Sequence, residues 1–405
     1  MAVRQSARTA RRGRPSSPRA LEGLLRERSE QVRAPADVEA VLGLDVEGAD
    51  GWTARVKEGR IEVVPGLPER PDVRVTSGAA TLAEVVSGRR SGVEAFLVGD
   101  LVVRGNLALA LRFDSLFNPE AVPKEWPRFR VTRARGVRTA YLEAGEGPPV
   151  VLLHGLGATN ASMLPTLWDL ARDHRVIAPD LPGFGDSGKP IRAYHAGFYS
   201  RWLAAFLGQL GIGRADLIGN SMGGRVALEM GLRHPELVNR MVLLMPSPAF
   251  IRGRELVQVV RYLRPELALV PLPFSHHQVV RSIRSMFARP SRLPAAWFDA
   301  AADEFLRVFR NPRGRVAFFS AARQIYLEEP HGEHGFWDRL PAMDRPALFL
   351  WGQRDWLVPA RFARHVERAL PDATSVVLED CGHVPQYELP ERTHAMVREF
   401  LGAPA

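Results

Sequence analysis

The last two thirds of the 405-residue chain alternates short apolar runs with helix-length segments. Uninterrupted apolar runs of this length are typical of strands that a parallel sheet buries on both faces. Their alternation with helices predicts an α/β fold, in which helices cover both faces of a mostly parallel sheet. The runs are Val150–Leu153, Val176–Ala178, Leu217–Gly219, Met241–Met245, Leu348–Trp351 and Val376–Leu378, and the helical segments include Ser200–Leu210, Met222–His234 and Arg361–Leu370.

One long segment interrupts this alternation. Residues 250–336 have a helical texture, are rich in Phe, Trp and Arg, and contain no apolar run of the buried-strand type. Because the segment is inserted between two strands of the sheet, we predict that it forms a helical cap. Catalytic groups in open α/β sheets lie at the carboxyl ends of the strands, so the cap is expected to cover that edge.

A nucleophile motif follows directly on one of the predicted strands. Gly219-Asn220-Ser221-Met222-Gly223 is a G-x-S-x-G sequence placed between a strand and a helix, which is the context that this motif requires. A serine on such a tight turn has a strained backbone, so small residues must flank it. Gly219 and Gly223 meet that need, and the helix N-terminus behind the serine favours developing negative charge. We therefore predict Ser221 as the catalytic nucleophile.

A serine hydroxyl needs a base, and the base needs an orienting acid. Asp355 follows the strand in FLWGQRDWLVP, and His383 follows the last strand in EDCGHVPQ. Asp380 is the competing acid, but it lies only three residues before His383 and is read as a solvated or turn-capping carboxylate. The predicted strand Met241–Met245 offers no acid, because it runs into Pro246-Ser247. Of the other histidines, His276, His277, His331 and His334 are interpreted as surface residues rather than metal ligands.

Two glycine-rich loops follow earlier strands. His154-Gly155-Leu156-Gly157 ends the strand Val150–Leu153, and its glycines let the backbone turn an N–H toward a substrate oxygen. His154 is expected to be a scaffold residue of this loop. The second loop, APDLPGFGDSGKP, lacks the lysine and serine spacing of a phosphate-binding loop. It is interpreted as a turn that shapes the floor of the site, with Asp180 in a structural role.

These ordered motifs resemble the α/β-hydrolase family over residues 128–405. The family order of nucleophile, acid and histidine matches Ser221, Asp355 and His383. The resemblance also implies that the backbone N–H groups of Leu156 and Met222 form the oxyanion hole.

Carboxylic ester hydrolysis is the reaction that the resemblance favours, because relatives that cleave haloalkanes or epoxides use aspartate as the nucleophile. Carbon–carbon hydrolases of meta-cleavage products share the same triad and remain the enzymatic alternative. A lipid-binding protein without turnover is the non-enzymatic alternative. No cofactor is predicted.

The N-terminal part has a different texture, with strand-like alternation and glycine turns between about Asp37 and Phe117. The Trp52 strand, KEGRIEV, PDVRV and FLVGDLVVRGNLALAL resemble the sterol carrier protein 2 (SCP2) family, and residues 20–120 are assigned to such a small α+β domain. The family encloses an apolar tunnel, so the resemblance implies binding of a lipid or another small hydrophobic molecule. A filled core without a tunnel remains the alternative.

Charge and cysteine content narrow the remaining function classes. Residues 1–20 carry six arginines and no acid, so 9 − 6 = +3 remains for the other 385 residues. We predict a disordered basic tail over residues 1–19 and no specific nucleic-acid partner, although a tether to nucleic acid or an anionic membrane stays open. One cysteine, Cys381, excludes an intrachain disulfide and a multi-thiolate zinc site. With no membrane-spanning run, a cytoplasmic location is expected, and the oligomeric state is left open.

Overall fold

The computed structural model describes residues 18–32, 34, 38–117, 122–250, 257–262, 264–270 and 273–402. Of the basic tail predicted over residues 1–19, residues 1–17 therefore lie outside the described residues. The described chain divides into two compact units. One runs to Val103 and includes Arg112–Val122, and the other comprises Arg104–Leu111 and the chain from Pro123 onward.

The strands and helices are numbered in chain order. The strands are β1 Ala40–Val46, β2 Trp52–Lys57, β3 Arg60–Pro65, β4 Val73–Ser77, β5 Leu101–Gly105, β6 Arg128–Ala134, β7 Val137–Ala144, β8 Pro149–Leu153, β9 Arg175–Pro179, β10 Ala215–Asn220, β11 Val238–Leu244, β12 Ala347–Gly352 and β13 Thr374–Leu378. The helices are α1 Pro18–Gln31, α2 Ala79–Val86, α3 Gly92–Leu97, α4 Leu107–Ala110, α5 Phe113–Phe117, α6 Leu164–Leu170, α7 Ala196–Gln209, α8 Met222–Arg233, α9 Val257–Tyr262, α10 His276–Arg284, α11 Ala295–Arg310, α12 Pro312–Leu327, α13 Phe336–Arg339, α14 Ala363–Ala369, α15 Pro385–Glu388 and α16 Pro390–Leu401.

The first unit is built on a five-stranded sheet in the order β3-β2-β1-β4-β5. β1 pairs with β2 in antiparallel and with β4 in parallel orientation. In β2 the apolar side chains of Trp52, Ala54 and Val56 are buried, as the alternation in the sequence predicts. The turn into β3 uses Glu58 and Gly59, both with positive φ, which is the backbone of a tight hairpin.

The second unit contains an eight-stranded sheet in the order β13-β12-β11-β10-β8-β9-β7-β6. The strands from β13 to β9 in this order are parallel, whereas β7 and β6 are added in antiparallel orientation. Every residue of β10 and β12 is buried, because helices cover both faces of the sheet at these strands. The carboxyl ends of the parallel strands meet at one edge.

The predicted cap segment lies between β11 and β12. Its described residues between 250 and 336 contain helices and turns, and none of them belongs to a strand. α11 and α12 are the longest helices of this segment, at 16 residues each. None of the helices in the described part of the chain has the length and apolar content needed to cross a bilayer.

One helix boundary differs from the expectation. α7 begins at Ala196 rather than near Ser200, because the His195 ring accepts a hydrogen bond from the Phe198 N–H and caps the helix. Side chains of Ser, Thr, Asp and Asn are the usual caps, so the residue types at this position gave little signal for a helix start.

Candidate active site

Ser221 occupies the strand-to-helix turn between β10 and α8. Its backbone lies at φ 53° and ψ −114°, in a strained region that a non-glycine residue rarely adopts. The turn is held by hydrogen bonds from the Ser221 N–H to the Leu244 carbonyl (2.9 Å) and from the Ser247 N–H to the Ser221 carbonyl (3.0 Å). Strain at one fixed residue, supported by the neighbouring strand β11, is characteristic of a functional turn.

The glycines around Ser221 allow a close approach of three chain segments. A Cβ on Gly219 would collide with the backbone of Gly223, and a Cβ on Gly223 would collide with the Leu153 carbonyl at the end of β8. The steric argument made from the sequence therefore has a direct basis in the packing of β8, β10 and α8.

The loop after β8 lies beside the nucleophile turn. A Cβ on Gly155 would be 3.4 Å from the Ser221 Cβ, and Leu156 follows at the next position. Met222 begins α8, with its backbone N–H among the unpaired donors of that helix start. The structure therefore brings the two predicted oxyanion donors, Leu156 and Met222, to the two segments that flank Ser221.

His154 is fully buried and both of its ring nitrogens are engaged. Nδ1 donates to the Gly155 carbonyl (2.8 Å), and Nε2 accepts from the Leu181 N–H (2.9 Å). Burial lowers the pKa of His154 to about 4, against the opposing effect of the Gly155 hydrogen bond. A neutral ring with both nitrogens in backbone bonds fits a scaffold role and leaves no atom to act as a base.

Asp180 holds the next loop in a similar way. Its carboxylate accepts hydrogen bonds from the backbone N–H groups of Asn160 and Asp186, both at 2.8 Å. Burial raises the pKa of Asp180, the hydrogen bond from Asn160 opposes this rise, and the resulting pKa is about 7. Both bonds are local anchors of the loop, in agreement with the structural role expected from the sequence.

Asp355 and His383 form a buried hydrogen-bonded pair. His383 Nδ1 lies 2.6 Å from Asp355 Oδ2, and both residues are only 5–6% exposed. The other carboxylate oxygen, Oδ1, accepts from the N–H groups of Leu357 (2.9 Å) and Val358 (3.0 Å). These backbone bonds fix the carboxylate, which in turn fixes the ring and its tautomer.

A side-chain bridge joins the histidine loop to the nucleophile turn. Asn220, the residue before Ser221, donates from Nδ2 to the carbonyl oxygens of His383 and Leu244, both at 3.1 Å. The main chain of His383 is thus tied to the turn that carries Ser221. The three residues predicted as a triad lie at the carboxyl ends of β10, β12 and β13, and His383 is bonded to Asp355 directly and to the nucleophile turn through Asn220.

The cap contributes a contact that the sequence did not reveal. The His383 N–H donates to the Met286 carbonyl (2.7 Å), in the segment that follows α10. A Cβ on Gly382 would collide with the same carbonyl, so glycine at this position permits the close approach. The backbone of the histidine loop is therefore held by the cap as well as by the nucleophile turn.

Glu388 strengthens this contact. Its buried carboxylate accepts from the Gly382 N–H (2.8 Å) on the histidine loop and from the Arg289 N–H (2.6 Å) on the cap segment. One side chain therefore bridges two backbone segments that meet next to His383. The predictive signal in the sequence was weak, because Glu388 and Arg289 are 99 residues apart.

Asp380 is the centre of an arginine cluster rather than a solvated or turn-capping carboxylate. Its Oδ2 pairs with Arg289 (2.5 Å) and Arg292 (2.6 Å), and Oδ1 pairs with Arg354 (3.1 Å). Desolvation raises the pKa of Asp380, but the arginines, Arg289 first, outweigh it and hold the pKa below its ordinary value. Two of these arginines belong to the cap segment, so Asp380 also ties the histidine loop to the cap.

Replacing Glu388 should lower turnover without weakening substrate binding. In Glu388→Ala both N–H groups lose their acceptor, and a shift of His383 by a fraction of an ångström should reduce kcat by about 10- to 100-fold. KM should change by less than about twofold, because the Glu388 carboxylate is buried and is bonded to backbone N–H groups of the protein. Glu388→Gln keeps one acceptor, so its kcat should lie between the values of the native protein and Glu388→Ala.

The matched control is Glu391→Gln, which alters an exposed carboxylate at the start of α16. Steady-state kinetics on a soluble ester measures all three variants. A rise in KM with unchanged kcat would contradict a positioning role for Glu388.

A charged cavity of about 180 Å³ lies along α8, starting at Met222. Its lining includes Arg225, Glu229 and Glu328. Arg225 pairs with both acids, and Arg233 and Arg339, which also line the cavity, pair with Glu229, so three arginines surround two carboxylates. Such a lining does not suit an acyl chain.

Nowhere in the described part of the chain do three or more His, Cys, Asp or Glu side chains cluster closely enough to hold a metal ion.

Residues 148–390, more than half of the chain, match the family described as alpha/beta hydrolase fold. The chain belongs to the α/β hydrolase fold family. Residues 21–118 match the SCP-2 sterol transfer family, so both resemblances drawn from the sequence are confirmed. Family membership supports hydrolase activity, and the SCP2 match supports binding of a hydrophobic molecule.

The chain is similar to several hydrolases. It is 30% identical over 282 residues to the 2-hydroxy-6-oxo-6-(2'-aminophenyl)hexa-2,4-dienoic acid hydrolase of Metapseudomonas resinovorans, covering 67% of this chain and 90% of that one. Among solved structures, a membrane phospholipase A described as a bacterial virulence factor is 26% identical, with a TM-score of 0.58, over 80% of this chain and 95% of its own. A serine hydrolase of carbazole degradation is 26% identical, with a TM-score of 0.57, over 68% and 99% of the two chains.

Proposed function

We propose that this α/β hydrolase cleaves a carboxylic ester with a hydrophobic acyl group through an acyl-enzyme on Ser221. His383 takes the proton of the Ser221 hydroxyl as the oxygen attacks the ester carbonyl, while Asp355 stabilises the imidazolium. The backbone N–H groups of Leu156 and Met222 hold the oxyanion. The same proton passes to the leaving alcohol, and water activated by His383 then releases the acid.

The aromatic wall of the cap, formed by Phe305 and Phe318, is the observation that supports a hydrophobic substrate. Phe305 on α11 and Phe318 on α12 approach the position that a Cβ of Gly157 would occupy, at 3.2 and 3.0 Å. The two rings pack edge to face, with centroids 5.8 Å apart, and both are partly exposed. An apolar wall next to the proposed oxyanion loop favours an aliphatic or aromatic acyl group over a charged one.

Two comparisons support this assignment. The SCP2 match at residues 21–118 adds a domain from a sterol transfer family, which suits a lipidic substrate. The similarity to a membrane phospholipase A extends over 80% of the chain. We infer that the N-terminal unit binds the hydrophobic substrate that the second unit hydrolyses.

Carbon–carbon hydrolysis is the second candidate. It is favoured by the 30% identity to a dienoic acid hydrolase that is matched over 90% of its length. The substrate named for that relative carries a carboxylate and a conjugated ketone, so a chromogenic dienoate of this type separates the two reactions.

The test is a series of p-nitrophenyl esters with acyl chains from two to sixteen carbons, assayed beside the dienoate. We expect kcat/KM to rise by up to about fourfold for each added methylene until the apolar wall is covered, because each buried CH₂ is worth about 0.8 kcal/mol. Phe318→Ala should flatten this rise, whereas Phe319→Ala, which alters the adjacent residue of α12, should affect it less. Turnover of the dienoate above that of every ester would replace the proposal by the second candidate.

A further inference from the structure

An exposed apolar strip lies on the cap, in the described residues between 257 and 274. Eleven large apolar side chains are strongly exposed among all the residues that the structure describes, and six of them fall in this short segment. We call them the cap strip. Its members, with their exposed fractions, are Val259 (57%), Tyr262 (80%), Leu267 (67%), Leu269 (45%), Val270 (66%) and Phe274 (45%).

Two arginines of α12 bind backbone carbonyls of the segment that carries the strip. Arg315, itself only 5% exposed, donates to the carbonyls of Ala268 and Leu269, both at 2.7 Å. Arg323 donates to the carbonyls of Val260 (3.0 Å) and Arg261. These bonds anchor the main chain of the segment on α12, while the six side chains of the strip remain exposed. The exposure is a built feature of the cap.

Positive charge accompanies the strip. Residues 257–274 contain two arginines and one glutamate, giving 2 − 1 = +1, and α10 directly after them adds Arg281 and Arg284, giving +3 over residues 257–285. Arg261 and Arg264 are exposed and lie within the strip itself. Exposed apolar side chains beside arginines form the kind of surface that inserts into the headgroup region of an anionic bilayer.

We propose that the cap strip docks on a lipid surface that carries anionic headgroups. A second copy of the chain fits less well, because a two-fold interface would bring the arginines of both copies into one contact, where like charges repel. The docking does not depend on the proposed reaction. A role of the docking in substrate uptake rests on the proposed function. α12 contacts the strip segment through Arg315 and Arg323 and approaches Gly157 through Phe318, so one helix connects the docking surface with the proposed oxyanion loop.

The test is flotation of the full-length protein with vesicles of 30% phosphatidylglycerol in phosphatidylcholine, at low and high salt. Binding should fall at least tenfold on pure phosphatidylcholine vesicles or in 0.5 M NaCl, because the arginine contribution is electrostatic. Leu267→Ser with Val270→Ser should lower the partition coefficient at least tenfold. The control pair, Val131→Ser with Val377→Ser, removes two exposed apolar side chains elsewhere in the second unit and should bind as the unmodified protein does.

Every variant retains the basic residues 1–20 and the SCP2 domain, so equal binding by the strip pair and the control pair would assign vesicle binding to those regions and overturn the proposal. Failure to float with the anionic vesicles would overturn it as well. So would light scattering that shows a dimer which the strip pair dissociates. Circular dichroism confirms that each variant is folded, and since flotation needs no turnover, the result is independent of whether an ester is hydrolysed.

Discussion

Replacing Ser221 by alanine is expected to lower ester turnover by about 10⁵- to 10⁶-fold. The variant has no oxygen that can form the acyl-enzyme, while the proposed oxyanion donors and the aromatic wall of the cap remain. Alanine meets the same backbone strain as serine at φ 53°, and the turn is fixed by main-chain bonds to Leu244 and Ser247. We therefore expect substrate binding and thermal unfolding to change little.

A fluorophosphonate probe followed by peptide mass spectrometry gives the matching covalent readout. The native chain should carry the label on Ser221, and the Ser221→Ala variant should carry none. Ser200→Ala is the control, because it also removes a buried hydroxyl, one that donates only to the Gly197 carbonyl within α7. A label found on another residue, or more than about 1% residual turnover, would show that Ser221 is not the nucleophile.

The sequence predicted the elements that depend on local pattern. The buried strands were predicted because each is a continuous apolar run, and the nucleophile turn was predicted because Gly219 and Gly223 flank Ser221 in the chain. α7 shows the limit of this approach, since its start depends on an unusual histidine cap. Boundaries are set by individual hydrogen bonds, which the apolar pattern does not report.

Contacts between distant segments were the part that the sequence could not provide. Asp355 and His383 were predicted because each follows a strand and the edge of a parallel sheet collects strand ends. The contacts of Glu388 and Asp380 follow no such rule, because their partners Arg289 and Arg292 belong to the cap. Because the cap has no strand register, the sequence does not show that arginines of the cap lie next to Asp380. Its carboxylate was therefore predicted to be solvated or turn-capping. The cap strip was missed for a similar reason: apolar residues of helical texture predict burial, and only the structure shows that these side chains are exposed.

Replacing Asp355 by asparagine should lower kcat by about 10⁴-fold while the fold is retained. Oδ1 accepts two backbone N–H groups, from Leu357 and Val358, so the amide oxygen of the variant should keep that position. The amide NH₂ group then faces Nδ1 of His383, at the place where Oδ2 now lies 2.6 Å away. Because NH₂ donates, Nδ1 must accept, and the ring proton moves to Nε2. A ring protonated at Nε2 cannot take the proton of Ser221.

The structure offers a matched control for this tautomer argument. Asp338 also contacts the Nδ1 atom of a histidine, His331, at 3.1 Å and accepts from the Gly332 N–H at 2.7 Å, but both side chains are more than half exposed. Asp338→Asn should therefore leave kcat within about twofold of the native value. A large loss in Asp380→Asn together with a small one in Asp355→Asn would transfer the role of the acid to Asp380. Against that outcome, the Oδ2 atom of Asp380 is paired with two arginines, whereas that of Asp355 is bonded to the histidine ring.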